Sequence, residues 1–349
     1  MKEAQLQLLR KVGNLEQLFS VRHVEYLDGK ENLVRAFEVN TGGGLEFSVL
    51  ENKCLDLYSL RFRGINCGFI SKAGLSSAYL ADQRGLSYRA TQGCGMLYTA
   101  GLANVGIACA DESGEQYYHG CIKNSATKHT AVTCDWVDRD YVMRISGQIP
   151  ESAFWGRNLV LKRTIQAIGG SSRLTIDDVI ENQNFTPDQL MLLYHFNIGY
   201  PLLDEGAVVY APIVQTTPLS PYAAREIGSY STMGAPIDGD DETVYLHQVR
   251  RDDRGFSAAA LWNPKLQLGI YIRFRGEALK YLVQWKTRRS GDYAMGLLPA
   301  SFSPVGREQA AKERGLFPLA PFASTGIQLE IGILEDESAR DAFLQEWSL

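Results

Sequence analysis

Short runs in which every second residue is apolar, separated by turn-forming residues, recur along most of this chain. They restrict its fold more than any other feature. Leu45, Phe47 and Val49 alternate, as do Ile270, Ile272 and Phe274, and then Ile327, Leu329, Ile331 and Ile333. Leu174, Ile176 and Ile180 keep the same beat, with Asp178 as the odd member. A period of two places each set on one face of a strand. Between the runs lie turn signals: "TGGG" (41–44), "AIGGSS" (167–172), "PIDGDDE" (236–242) and "RDDRG" (251–255). Strands divided by such turns over roughly 290 residues, with no alternating helices, predict an all-β fold, a large two-sheet antiparallel β-sandwich. No internal repeat and no low-complexity linker divides the chain, so one domain over residues 1–349 is expected.

Helical spacing occurs only near the ends. Leu6, Leu9, Val12 and Leu15 predict an amphipathic helix over 3–18, a helical N-terminal extension of about 20 residues, with Gly13 as an objection. "REQAAKERG" (307–315) and "EDESARDAFLQEW" (335–347) predict two more helical pieces.

The 349 residues carry 35 basic and 40 acidic side chains, a formal charge of −5. No Lys/Arg cluster exceeds "KTRR" (286–289). A nucleic-acid partner is therefore not expected. The six cysteines (Cys54, Cys67, Cys94, Cys109, Cys121 and Cys134) show no C-x-x-C spacing, and reduced, mostly buried thiols are expected. The N-terminus mixes charges into its apolar positions, unlike a signal peptide. No apolar stretch approaches the roughly 20 residues that span a bilayer. A cytoplasmic protein without a membrane partner is expected, and Asn184-Phe185-Thr186 is a chance match to a glycosylation acceptor.

Phosphate-loop, zinc-protease and nucleophile-elbow motifs are all absent. "GGGLEF" (42–47) runs into a strand rather than a helix and reads as a hairpin turn. None of the five histidines pairs with another at metal-ligand spacing, so no metal site is expected. His23 and His129 read as surface residues, and His247 as either a strand-surface or a pocket residue. His119, in "QYYHGCIKNSA", suits either a cleft wall or an aromatic cluster. His195 stands in "MLLYHFNIGYP" without a charged neighbour in sequence. There it is either a satisfied core histidine or a proton donor at the floor of a pocket, since burying an imidazole costs free energy unless it has partners.

The ordered segments "GGLEFSVLENKCLDLYSLRFRGIN", "GCGMLYTAGLANVG", "YYHG", "LVLKRTI…SSRLTIDDVIENQ", "LLYHFNIGYPLL" and "YLVQWK…GDYAMGLLPA" resemble the aldose 1-epimerase (galactose mutarotase-like) superfamily over roughly residues 35–335. They resemble most its bacterial branch known as DUF4432. The resemblance implies a two-sheet supersandwich with a carbohydrate cleft across one sheet and acid–base opening of a sugar ring, without cofactor or metal. It implies that His195, in "YHFN", is the acid with Asn197 beside it, and that His119, in the H-G pair, contacts sugar hydroxyls. The family's basic glutamate falls on Leu298, which cannot accept a proton. Glu242 is the expected stand-in base. Asp292 reads as a turn aspartate, and Asp177 and Asp178 as structural residues of paired strands. Trp285 is expected to stack on a sugar, Lys286 to contact a hydroxyl or phosphate, and Arg89 to contact the sugar.

The resemblance therefore implies a mutarotase or 1-epimerase-like protein that interconverts anomers of a free or phosphorylated sugar. Leu298 keeps open a non-catalytic carbohydrate-binding protein on the same scaffold. Exposed sheet edges would also suit a homodimer.

Overall fold

The computed structural model describes residues 3–111 and 114–349. Two large sheets, of eight and seven strands, face one another, and a five-stranded sheet from residues 20–66 packs beside them. Every pairing between the named strands is antiparallel, as the alternating runs require. In the seven-stranded sheet the order runs Ile213–Pro218, Glu242–Val249, Tyr281–Thr287, Ala294–Ala300 and Asp188–Ile198. Phe317–Leu319 and Leu97–Leu102 then share the outer edge of the last.

The core between the sheets takes the inward residues of each strand. Leu159, Leu161, Ile165 and Ala167 come from one sheet, and Leu190, Leu192, Tyr194, Phe196 and Ile198 from the other. Burying each large apolar side chain contributes about 1.5–3 kcal/mol. The Asp188–Ile198 strand is covered on both faces. Its alternate residues Met191 and Leu193 join a second apolar cluster with Tyr98, Val283 and Leu298 on the outer side of the sheet. That double cover is why its sequence reads as an unbroken apolar run rather than as an alternation.

The outer runs behave as expected: "TGGG" turns between two paired strands, and helices form over Arg307–Lys312 and Glu337–Trp347. Asp336 caps the latter through the Ala339 amide. The expected N-terminal helix is shorter. It covers Glu3–Leu9 and is followed by a separate 3-10 turn at Leu15–Gln17. Gly13 interrupts it, and Asn14 starts the new turn by accepting the Glu16 N–H. Residues 1 and 2 of that extension lie outside the described residues. Two of the cysteines are buried and four are half-buried, fewer enclosed than expected, and none is bonded to another.

One feature of the core is polar. Arg163 stands in the inward row where Leu161 and Ile165 flank it, and it is 1% exposed. Its guanidinium donates five hydrogen bonds: two to Asp178, one to Asp56, one to the Cys54 carbonyl and one to Thr99 Oγ1. Asp178, the odd member of its run, is the cross-strand partner of Arg163 and also accepts from the Tyr194 hydroxyl. The cluster joins all three sheets. Removing one member of a buried charge set leaves its partners uncompensated, at a cost of about 3–5 kcal/mol. Arg163→Met is therefore expected to lower stability by about that amount in chemical denaturation. Arg163→Met/Asp178→Leu/Asp56→Leu should recover part of the loss. A single variant within 1 kcal/mol of wild type would contradict this role.

Candidate functional site

The site is built on the outer face of the seven-stranded sheet, from residues that the pleat turns away from the core. His195 pairs with Tyr98 across the Leu97–Leu102 edge, and their rings stack at 4.4 Å between centroids. On its other side the register, framed by Leu193–Ala300 and Phe196–Leu297, sets Leu298 opposite His195. Leu298 is 2% exposed and packs in the same apolar cluster as Tyr98 and Val283.

Trp285 closes the floor. It pairs with Gly296, and a methyl group at that glycine would come within 3.1 Å of the Trp285 Cβ. The missing side chain gives the indole room to lie toward His195, 5.6 Å away between ring centroids. The indole N–H donates to Glu242 Oε2 at 2.7 Å. Glu242 opens the Glu242–Val249 strand and remains exposed. A carboxylate thus reaches this face from the neighbouring strand, although the strand position opposite His195 holds leucine.

A loop brings the second histidine. His119 has a left-handed backbone, φ +57°, and Gly120 follows at +67°. A Cβ at Gly120 would lie 2.1 Å from the Gly101 carbonyl oxygen, so the H-G pair needs its glycine. The His119 amide donates to the Gly106 carbonyl, and Gly106 N–H donates to His119 Nδ1 at 3.2 Å. That bond places the proton of the neutral ring on Nε2. The two imidazoles meet edge to face at 5.5 Å, and Tyr118 packs on His119 at 4.3 Å.

Burial pushes the His195 imidazole down to about 3, with the Asn197 side chain pulling the other way and the Lys123 charge adding to the depression. His119 falls well below the usual range through burial, with His195 and Lys123 as further causes. Both rings are neutral near pH 7. A histidine poised at its midpoint is therefore not what this site contains: desolvation dominates. Among the described residues Nδ1 of His195 is enclosed and without a hydrogen-bond partner, as is Oδ1 of Asn197.

The structure therefore gathers His195, His119, Trp285 and Glu242. Arg89 lies exposed on a short 3-10 turn beside Tyr88, within electrostatic reach of Glu242 and Tyr118. Two of the expected contacts fall elsewhere. Lys286 points to the opposite face from Trp285, where its ammonium donates to the Ser229 and Thr232 carbonyls. Successive strand residues face opposite ways, so both could not line one cleft. Asn197 shares the face of His195 but is fully enclosed, its amide donating to the Gly95 and His195 carbonyls. It positions the strand and touches no open space. His247 is likewise enclosed, held by Thr216 and Gln284 on the other side of the sheet. Asp292 pairs with Lys72 in a turn. His23 and His129 are at the surface, the former beside Glu51. Tyr98 and Tyr118 complete the site without having been singled out in the sequence. Among the described residues no group of three or more His, Cys, Asp or Glu could hold a metal ion, and no helix is long and apolar enough to cross a membrane.

This architecture has solved counterparts. A Klebsiella pneumoniae protein provisionally called an aldose 1-epimerase matches with a TM-score of 0.90 at 24% identity, over 96% of this chain and 90% of that one. A galactose mutarotase-like protein from Clostridium acetobutylicum matches at 0.62 and 12% identity, over 91% and 99%. A galactose 1-epimerase from Lactobacillus acidophilus matches at 0.58 and 11% identity, over 91% and 100%. These likenesses establish the galactose mutarotase-like β-sandwich. No curated protein sequence matches the chain. The profile of the family described as "Domain of unknown function (DUF4432)" covers residues 31–333, and the chain belongs to that family.

Proposed function

We propose that the cleft binds an aldose and interconverts its anomers, with His195 as proton donor and Glu242 as proton acceptor. The observation that carries this reading is Trp285. It lies 5.6 Å ring to ring from His195 and holds Glu242 at 2.7 Å, so an acid–base pair is available despite Leu298.

Ring opening needs the anomeric O–H proton to leave while the ring oxygen gains one. Glu242 takes the first, the O1 electrons form the C1 carbonyl, the bond from C1 to the ring oxygen breaks, and His195 protonates that oxygen. Rotation about C1–C2 and the reverse transfers close the other anomer. Both groups end in their starting states, so no redox partner enters. His119 offers Nε2–H to a sugar hydroxyl, Trp285 and Tyr98 offer aromatic faces to its C–H groups, and Arg89 stands at the rim.

The depressed His195 sets a pH signature. Above about 3 the protonated fraction falls tenfold per pH unit, so the catalysed rate should fall about tenfold per unit from pH 5 to 8. A rate that stays level over that window would make His195 the acceptor, because its neutral form is already saturated there. His195→Ala and Glu242→Gln should each lower anomer exchange, followed by saturation-transfer NMR, by about 10²–10⁴-fold. Exchange at the wild-type rate in either variant would remove that residue from the chemistry.

A second reading, a carbohydrate-binding protein without catalysis, is favoured by Leu298 opposite His195 and by the neutral imidazole. Leu298→Glu separates the two. With Glu242 as the working base the variant gains nothing. A gain of more than about 10²-fold over a wild type that binds sugar without exchange supports the second reading.

A further inference from the structure

Beyond Tyr98 lies a cavity that the chemistry above does not use. It is a partly open cavity of about 30 Å³ between the five-stranded sheet and the loops around residues 75 and 93. Two lysines, Lys53 and Lys123, line it, together with Ser76, Tyr98, Cys94 and Asn124. Lys123 is 4% exposed; its ammonium donates to the Tyr118 carbonyl, the residue before His119. Lys53 donates to Asn124 Oδ1 at 2.7 Å. Among the described residues neither ammonium forms an ion pair with a carboxylate.

The wall holds one carboxylate, Asp56, and it is already committed. It accepts from the Thr99 amide and hydroxyl and from Arg163. Lys123 is thus enclosed and Lys53 half-buried, close enough to repel one another, and the Asp56 charge that favours both ammonium forms is shared with Arg163. Charge is costly to bury unless it is compensated. Burial lowers both, each to about 8. The second observation is Ser76. It is 1% exposed, lines the same cavity, and its hydroxyl has no hydrogen-bond partner among the described residues. A phosphate or carboxylate oxygen would satisfy all three donors, two of them by charge-assisted bonds. Gly93 makes the wall possible, because a Cβ there would lie 2.3 Å from the Gly74 carbonyl oxygen.

The cavity and the cleft share Tyr98, whose ring stacks on His195 and lies 5.8 Å from the Lys123 ammonium. We infer that this cavity is an anion pocket in which Lys53, Lys123 and Ser76 hold a phosphate or carboxylate group carried by the sugar, a specificity that rests on the reading of the neighbouring cleft as an aldose site.

Calorimetric titration at fixed ionic strength tests it with six probes: inorganic phosphate, glucose 6-phosphate, ribose 5-phosphate, glucuronate and the neutral parents glucose and ribose. At least one anion-bearing sugar should bind tenfold or more tightly than its neutral parent. Lys53→Met and Lys123→Met should each remove that advantage, and Lys53→Met should leave binding of the neutral parent unchanged. Ser76→Ala, which disturbs the fold least, should reduce it severalfold. Binding of inorganic phosphate that the lysine variants abolish, with no sugar bound at all, keeps the anion pocket, makes free phosphate its occupant and overturns the aldose cleft. Equal affinity for anionic and neutral sugars, or an advantage that survives both lysine variants, overturns the pocket and leaves the cleft standing. If no probe binds, both fall.

Discussion

Much of the structure hangs on the buried guanidinium of Arg163. It sits between Leu161 and Ile165 at 1% exposure, and the fixed oxygens of Asp178, Asp56, Thr99 and Cys54 make that location tolerable. Those oxygens belong to three sheets, so satisfying one side chain fixes their mutual placement. The consequence reaches the cleft through the pleat. Thr99 and Tyr194 are cross-strand partners, and both are tied to this network. The adjacent partners are Tyr98 and His195, which face the other way and stack. A polar cluster on the inside of the sheet thereby sets the aromatic stack on the outside.

This link explains which parts of the molecule the sequence disclosed. The period-two runs named the sheet faces, and the misfit of Asp178 within its run was a visible sign of a buried charge partner. Arg163 left no such sign, because "LVLKRTIQAI" gives two adjacent cations and only the register shows which one faces inward. The pairing of Trp285 with Lys286 as cleft residues ignored the same parity that located the strands. The H-G pair and "YHFN" marked both histidines by resemblance. Tyr98 and Lys123 stayed hidden because tertiary placement, not spacing, brings them to His195, and Lys53 because it meets Lys123 only across the cavity wall. Asn197 has the right parity, yet the Gly95 backbone covers it, and cover by a distant loop leaves no trace in local pattern.

Leu298 changes the electrostatics of the cleft as well as its inventory. A carboxylate opposite His195 would stabilise an imidazolium, whereas a leucine leaves desolvation unopposed. The carboxylate that does reach this face is that of Glu242 at the exposed edge, oriented by an indole rather than by burial. Such an arrangement gives a neutral, enclosed histidine that gains a proton only when something nearby favours the charge. Desolvation is the main obstacle, and the Lys123 ammonium is another.

Lys123 joins the two regions in one equilibrium. Its charge depresses both His195 and His119, and burial holds its own ammonium near 8 together with that of Lys53. An anion seated against the two lysines would stabilise their charged forms and cancel part of the field that they project past Tyr98. Both effects favour uptake of protons. Linkage makes the coupling reciprocal: whatever factor the anion adds to protonation of His195, protonation of His195 adds to the affinity for the anion. A neutral sugar would meet the histidine in its unprotonated state, while an anionic one would carry the means of charging it. In the proposed geometry an anion group would do more than anchor the ligand, because it would shift His195, the proposed proton donor, toward its charged form.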